Sequence, residues 1–180
     1  MRMLDRRTMD AAAWRETQWR RLDFCMQHQQ QSNWCWAAVA TSVALFFDPA
    51  STWTQCEVAN RHCQRTDCCD PGQPNPCNQR KNLQGPLGFT GHLDPPFIAR
   101  AARFGEVETR VDAATVVCAR TVWSGNRGAH FVAIIGYLRS FDMLAVDDPL
   151  YGKSDVDYAT FCTDYHNAGG TWSHTFFTRP

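Results

Sequence analysis

The spacing of apolar and polar residues in the first half of the chain indicates helices. Across Trp36–Phe47, apolar residues recur at helical spacing and an Asp-Pro pair ends the run, which predicts a helix. Ser32 and Asn33 precede this segment and are expected to cap the helix. Cys35 therefore lies in or near the first helical turn.

Two weaker helical patterns lie outside that run. Residues 8–22 are rich in helix-forming residues and predict a modest N-terminal helix or arm. Farther along, Pro95 and Pro96 suit the first turn of a helix and Gly105 suits a C-terminal cap. A short helix is therefore expected over Phe97–Phe104.

The second half of the chain has the pattern of β-strands. Four segments rich in β-branched and aromatic residues are separated by turn residues, and they predict an antiparallel sheet: Val116–Trp123, His130–Leu138, Met143–Val146 and Thr171–Thr178. A helical part followed by a strand-rich part predicts an α+β fold with a cleft between the two parts.

The domain organisation follows from the same pattern and from the chain length. With 180 residues, one main domain is expected over 25–180, preceded by an arm or helix over 1–24. Residues 56–91 contain few aliphatic side chains and many Pro, Gly, Asn and Asp residues, so we expect a long Cys-rich loop within the domain.

The overall composition excludes several classes of partner. Lysine plus arginine and aspartate plus glutamate each total 18, so no global charge attracts the chain to nucleic acid or to an anionic membrane. No apolar run is long enough to span a bilayer, and the N-terminus lacks the apolar core of a signal peptide. A monomer that binds neither nucleic acid nor membrane is expected.

Cysteine usage bears on the compartment of the protein. Five of the nine cysteines fall in the predicted loop: Cys56, Cys63, Cys68, Cys69 and Cys77. A zinc site is the alternative to disulfides here, but adjacent cysteines cannot easily bind one ion together, so disulfides are favoured. Disulfides imply export without a recognisable signal peptide. A cytoplasmic location stays open.

The candidate chemistry centres on a thiol. A cysteine attacks as its thiolate, which the positive end of a helix dipole and a nearby imidazolium both stabilise. Cys35 has the helix end, and His130 is the best partner because it begins a strongly apolar strand after a flexible Gly-Ala pair. The next strand ends in Asp147 and Asp148, and a carboxylate there would orient the imidazole. The other five histidines are interpreted as surface or structural residues.

The segment around the cysteine resembles a known family. Residues 29–38 read Gln-Gln-Gln-Ser-Asn-Trp-Cys-Trp-Ala-Ala, which is similar to the nucleophile region of papain-like cysteine peptidases. Within that superfamily the chain resembles the bacterial peptidases related to effector proteases of plant pathogens. It is more distantly similar to the peptidases that trim bacteriocin leader peptides. The resemblance covers roughly residues 29–178 and implies a papain-like fold.

This resemblance implies a role for each candidate residue. Cys35 is expected to be the nucleophile, His130 the base and Asp148 the third member of the triad, with Asp147 as its competitor. Gln29 is expected to stabilise the oxyanion together with the backbone N–H of Cys35, with Gln31 as the alternative. No metal and no cofactor is expected at this site.

Three functions remain open at this point, two of them enzymatic and one not. The leading hypothesis is thiol-dependent proteolysis of peptide or protein substrates. An acyl transferase of transglutaminase type would use the same triad, and a Cys-rich interaction module would use none of it. The resemblance also implies a bacterial effector or toxin with a neutralising partner protein as one biological role, and processing of a specific peptide as another.

Overall fold

An antiparallel sheet forms the centre of the protein. The computed structural model describes residues 16–70 and 75–180. Within these residues the strands are β1 Arg20–Arg21, β2 Leu93–Ile98, β3 Val117–Trp123, β4 Ala129–Leu138, β5 Met143–Asp148, β6 Gly152–Asp157 and β7 Gly170–Thr178. Six of them lie in the order β2-β7-β3-β4-β5-β6, while β1 pairs with β4 beside that path.

Helices cover both faces of this sheet. They are α1 Cys35–Phe47, α2 Gln55–Cys63, α3 Gln84–Phe89, α4 Phe104–Asp112 and α5 Tyr158–Thr163, with short 3-10 turns at Ser124–Asn126 and Arg139–Phe141. Helix α1 is buried from its first residue to Ala44 and packs against α2, α3 and β4. The mixture of helices and an antiparallel sheet confirms the predicted α+β class.

The sheet has two apolar faces because strand side chains alternate in direction. On β4, Phe131, Ala133 and Ile135 join the apolar cluster that contains α1. Val132 and Ile134 belong to the second cluster, which contains residues of α4 and α5. Strand β4 is therefore buried on both faces of the sheet. This packing supports the side chains at the start of the strand.

The strongest sequence patterns predicted the elements correctly. The helix expected over Trp36–Phe47 is α1, and the four expected strands are β3, β4, β5 and β7 with small shifts at their ends. Strand β6 was not predicted, because its Gly-Lys-Ser-Asp-Val-Asp sequence is polar and it lies at the sheet edge.

The predicted caps of α1 are wrong. Trp34 occupies the N-cap position, and none of the described side chains caps the helix. Ser32 and Asn33 instead contact Asn78: the backbone N–H of Asn33 donates to Asn78 Oδ1 at 2.9 Å, and the Asn78 amide donates to Ser32 Oγ at 3.0 Å. A partner distant in the sequence has thus replaced the local cap.

The helix predicted over Phe97–Phe104 is also wrong. Pro95 and Pro96 lie inside β2, which is an edge strand paired only with β7 in the described sheet. Proline is tolerated at a sheet edge because its missing N–H interrupts no interior ladder. The helix begins instead at Phe104, where Glu106 accepts from the backbone N–H of Arg103 at 2.6 Å.

The segment over residues 56–91 is only partly a loop. The Thr54 and Glu57 side chains form a capping box that starts α2, and α3 lies near the other end of the segment. The expected disulfides are present in this segment: Cys56 of α2 is linked to Cys69, and Cys68 is linked to Cys77. Cys63 is free, although its sulfur lies within 4.8 Å of those of Cys68 and Cys77.

The N-terminal prediction falls largely outside the described residues. Residues 8–15 of the expected helix are not described, and Arg20–Arg21 form strand β1 on β4. The helix therefore does not extend to residue 22 as predicted. No helix in the described ranges is both long enough and apolar enough to cross a membrane.

Reduction of the disulfides is expected to lower the thermal stability of the protein. In the chain-entropy account, a cross-link that closes a loop of this size contributes about 3 kcal/mol by restricting the unfolded chain.

Alkylation of the denatured but unreduced protein should modify five cysteines, and mass spectrometry counts them: Cys25, Cys35, Cys63, Cys118 and Cys162. Modification of all nine would mean that the segment is a thiol or zinc site.

The variant Cys63→Ala is the matched control for the effect of reductant on thermal stability. It removes a free thiol beside Cys68 and Cys77 and leaves both cross-links in place. Its midpoint of thermal unfolding should therefore fall with reductant as much as that of the wild-type protein.

Candidate active site

Cys35 is the first residue of the most buried helix. Its side chain is held at the start of α1, and the residue is 7% exposed. The first N–H groups of a helix have no intrahelical partner and give this end a partial positive charge, which favours a thiolate. The sequence prediction of a cysteine in the first helical turn is confirmed.

Two tryptophans fix this helix end against the disulfide-linked segment. Trp34 and Trp36 are fully buried. The Trp34 indole N–H donates to the Cys77 carbonyl at 2.8 Å, and that of Trp36 donates to the Gln79 carbonyl at 3.0 Å. The position of Cys35 is therefore linked to the segment that the two disulfides close.

His130 lies near the beginning of β4 and faces both Cys35 and Asp148. The antiparallel pairing of β4 with β5 sets Ala133 opposite Asp147, which brings the end of β5 beside the start of β4. His130 Nε2 lies 2.8 Å from Asp148 Oδ1, and both side chains are buried. The structure thus brings the predicted cysteine, histidine and aspartate together.

The electrostatics of His130 favour its protonated form. Burial of the ring lowers its pKa, but hydrogen bonds and charge interactions with Asp148 and Cys35 outweigh that effect and raise the pKa to about 9. For Asp148, burial raises the pKa, and the hydrogen bond and charge of His130 reverse this and lower it below its ordinary value. At neutral pH the pair is an imidazolium and a carboxylate.

Asp148 is held by more than the histidine. Its Oδ1 accepts from the backbone N–H groups of Leu150 at 2.7 Å and Tyr151 at 3.1 Å, and its Oδ2 accepts from the Tyr165 hydroxyl at 3.0 Å. Four donors therefore fix a fully buried carboxylate, which in turn fixes the imidazole ring of His130.

Asp147 has different contacts. Its Oδ2 accepts from the backbone N–H of Met26 at 3.0 Å and lies 4.0 Å from Lys153 Nζ. Burial raises its pKa. Successive side chains of a strand point to opposite faces, so only one of the two aspartates at the end of β5 can reach His130. That residue is Asp148.

Gln29 borders the same cleft, whereas Gln31 is not among the described residues that line it. The Gln29 Nε2 donates to the Gln31 carbonyl at 3.0 Å and to the Ser32 carbonyl at 2.9 Å. Its buried Oε1 has no hydrogen-bond partner among the described residues. Through these two hydrogen bonds, the Gln29 side-chain amide stabilises the loop that leads into α1.

Several aromatic residues at the site were not identified from the sequence. The Trp123 ring stacks on His130 with 6.5 Å between centroids, and Tyr151 contacts the same ring edge-on. His166 was interpreted as a surface or structural residue, yet its Nε2 lies 3.8 Å from Asp148 Oδ2. The only available signal for these residues was their proximity in sequence to Asp148 or to the strand ends.

A cleft of about 630 Å³ opens over Cys35 and His130. One wall comes from the start of α1 and the loop before α3, and the other comes from β3, β4 and β7. A buried cysteine sulfur beside an imidazolium, in a cleft of this size, has the geometry for nucleophilic attack on a bound carbonyl group.

Comparisons with known proteins agree with this geometry. Residues 18–166 match the family model described as papain-like cysteine protease AvrRpt2. The peptidase domain of Streptococcus ComA, a bi-functional ABC transporter involved in a quorum sensing pathway, is 14% identical with a TM-score of 0.58; the match covers 87% of this chain and 99% of that domain.

A second solved structure shows the same low identity. It is a double glycine motif protease from an AMS/PCAT transporter in complex with the leader peptide, at 14% identity and a TM-score of 0.49, covering 89% of this chain and 94% of that one. No curated protein matched the chain. The family match and the ComA domain confirm the papain-like fold and both predicted groups of relatives.

The pKa of His130 is expected to depend on Asp148 and not on Asp147. Asp148→Asn removes the carboxylate that stabilises the imidazolium, so the pKa should fall from about 9 toward or below the ordinary value of 6.5. Asp147→Asn should leave it nearly unchanged. Titration of the imidazole resonances by NMR measures both values, and equal decreases in the two variants would contradict this arrangement.

Proposed function

The chain belongs to the family of papain-like cysteine proteases described as AvrRpt2, and on that premise we propose that Cys35, His130 and Asp148 are its catalytic triad. The supporting observation is the contact of His130 with both partners: Asp148 binds one ring nitrogen, and the Cys35 thiol interacts with the ring from the start of α1. The enzyme is a cysteine peptidase, and this triad assigns its reacting groups.

The proposed reaction begins from an ion pair in which the imidazolium of His130 already holds the proton taken from the Cys35 thiol. The Cys35 thiolate attacks the carbonyl carbon of the scissile peptide bond. His130 then gives a proton to the leaving amine as the C–N bond breaks. In the second half, His130 takes a proton from water, the hydroxide attacks the thioester, and Cys35 is released.

Asp148 acts in this scheme through the imidazole. Because the carboxylate holds Nε2, the ring is fixed in orientation and its charged form is stabilised while the thiolate exists. Leu150, Tyr151 and Tyr165 hold Asp148 in turn, and we assign them as positioning residues.

We propose Gln29 as an oxyanion donor, together with the backbone N–H of Cys35. Support comes from its burial and its place at the edge of the cleft, and from the free N–H groups at the start of α1. To donate to the oxyanion, Nε2 must give up one of its bonds to the Gln31 or Ser32 carbonyl.

For the wider role we propose an exported peptidase that acts on peptide or protein substrates. The two disulfides support export, since they persist mainly in oxidising compartments. A role as a bacterial effector or toxin, with a neutralising partner protein, is part of this proposal and rests on membership of the family. Acyl transfer to an amine would use the same acyl-enzyme.

Cys35→Ala is expected to abolish hydrolysis while the fold stays intact, because it removes one small side chain at a helix start. A peptide electrophile should label the wild-type protein at Cys35, which mass spectrometry identifies. Cys118→Ala is the matched control: Cys118 is fully buried in β3, so its loss should affect stability and leave labelling at Cys35 intact.

Two results would count against the nucleophile assignment. One is an alanine variant that keeps a tenth or more of the wild-type rate in a preparation free of other proteases. The other is a wild-type protein that is labelled elsewhere. Added primary amines that divert most of the product from acid to amide would favour the acyl transferase.

Gln29→Ala is expected to lower kcat by about 100-fold, the usual cost of one oxyanion donor. Gln31→Ala is the control, because Gln31 is not among the described residues that line the cleft. This variant should retain most of the wild-type activity. Thermal unfolding of both variants separates a catalytic loss from an unfolded loop. A larger loss in Gln31→Ala would transfer the role to that residue.

A further inference from the structure

The cleft is strongly basic although the chain as a whole is neutral. None of the lining residues in the described ranges is acidic. Four of them are cationic: Arg80, Lys81, Arg120 and Arg127. Across the whole sequence, basic and acidic residues are equal at 18 each. The positive charge is therefore concentrated at the cleft.

These cations differ from most other basic residues of the described ranges by lacking acidic partners. Seven basic residues of the described ranges, all outside the cleft, lie within 4.0 Å of a carboxylate: Arg20, Arg21, Arg65, Arg100, Arg110, Arg139 and Lys153. None of the four cleft cations has such a contact with a described residue. Their charge remains available to a ligand.

Neutral groups hold three of the four in place. Arg80 donates to the Arg127 carbonyl at 3.3 Å, and Arg120 donates to Ser173 Oγ at 3.0 Å. Arg127 donates to the Ser124 carbonyl at 2.9 Å and to the Ala168 carbonyl at 2.7 Å. These bonds orient the guanidinium groups without neutralising them.

The cations flank the reacting groups from both walls of the cleft. Arg80 and Lys81 come from the loop before α3, whereas Arg120 lies on β3 and Arg127 in the turn before β4. The Arg80 guanidinium packs against Gly128, two residues before His130: an added Cβ there would lie 2.7 Å from it, and the glycine has a φ of +100°.

The positive charge of Arg120 affects the pKa of another residue that lines the cleft. Burial, and after it the charge of Arg120, lowers the pKa of His174, which borders the cleft beside Arg120. A cleft lined by one sign of charge concentrates ligands of the opposite sign.

We propose that the cleft selects peptide segments carrying aspartate or glutamate close to the scissile bond. The inference rests on the proposed peptidase function and assigns its substrate class. Arginine forks bind carboxylates through paired hydrogen bonds, so the uncompensated guanidinium groups at both walls are suited to acidic side chains. Arg80, Lys81, Arg120 and Arg127 are the specificity-determining residues.

Cleavage of a proteome-derived peptide library tests this inference, because such a library samples every sequence context at once. The full chain is incubated with the library, and the new termini are sequenced by mass spectrometry. Aspartate and glutamate should be enriched around the cleaved bonds relative to the uncut library. The enrichment should decrease when the salt concentration is raised, because screening weakens exposed charge interactions.

Variants attribute the preference to named side chains. Arg120→Gln and the double variant Arg80→Gln/Lys81→Gln should each reduce the acidic enrichment, by roughly 1.5- to 5-fold for each cation removed. The charge-reversing double variant Arg80→Glu/Lys81→Glu should shift the preference toward lysine and arginine. Arg179→Gln is the matched control, since Arg179 is an exposed arginine outside the cleft.

The possible outcomes separate the two levels of the proposal. Cleavage without acidic enrichment, or enrichment that all variants retain, overturns the substrate assignment and leaves the peptidase intact. An absence of cleavage together with an absence of labelling at Cys35 overturns the proposed catalytic function, and this inference with it. Enrichment that falls in the cleft variants and persists in Arg179→Gln supports it.

Discussion

The buried charge pair between His130 and Asp148 is the interaction on which the site depends. Removing two charges from water is costly, and that cost is offset only when each charge has good partners. Here Asp148 accepts from His130, two backbone N–H groups and the Tyr165 hydroxyl, so its charge is well compensated. The pair lets an imidazolium persist at neutral pH beside Cys35. Both strands that carry the pair, β4 and β5, are internal to the sheet.

The Cys-rich segment supports the other half of the site. Its disulfides fix the chain between α2 and α3, and that chain offers carbonyl groups to the Trp34 and Trp36 indoles and an amide to the loop before α1. The N-terminus of α1 is thus positioned by contacts across more than forty residues of sequence, where a local cap would have been expected. The position of Cys35, the proposed nucleophile, therefore depends on the segment that the disulfides cross-link.

The sequence predicted elements correctly where the signal is a local pattern. It failed where a contact with a residue distant in the sequence determines the structure. The periodicity of α1 and the β-rich runs of β3, β4, β5 and β7 are local signals, and they located Cys35, His130 and the Asp147-Asp148 pair. The choice between the two aspartates needs the strand register, which no local pattern contains. Pro95 and Pro96 have the same local chemistry at a helix start and in an edge strand, and pairing with β7 decides between them. Tyr165 and Trp123 reach the site only through the folded sheet.

Because the proposed reacting groups lie far apart in the sequence, the cysteine is expected to become reactive only late in folding. Cys35 lies in the first quarter of the sequence, whereas His130 and Asp148 lie in its last third. Before the sheet forms, Cys35 has neither the imidazole of His130 nor a formed helix end beside it to stabilise a thiolate. A nascent or unfolded chain therefore carries no effective nucleophile, and the fold itself delays activity as a propeptide does in other enzymes, without any segment having to be removed.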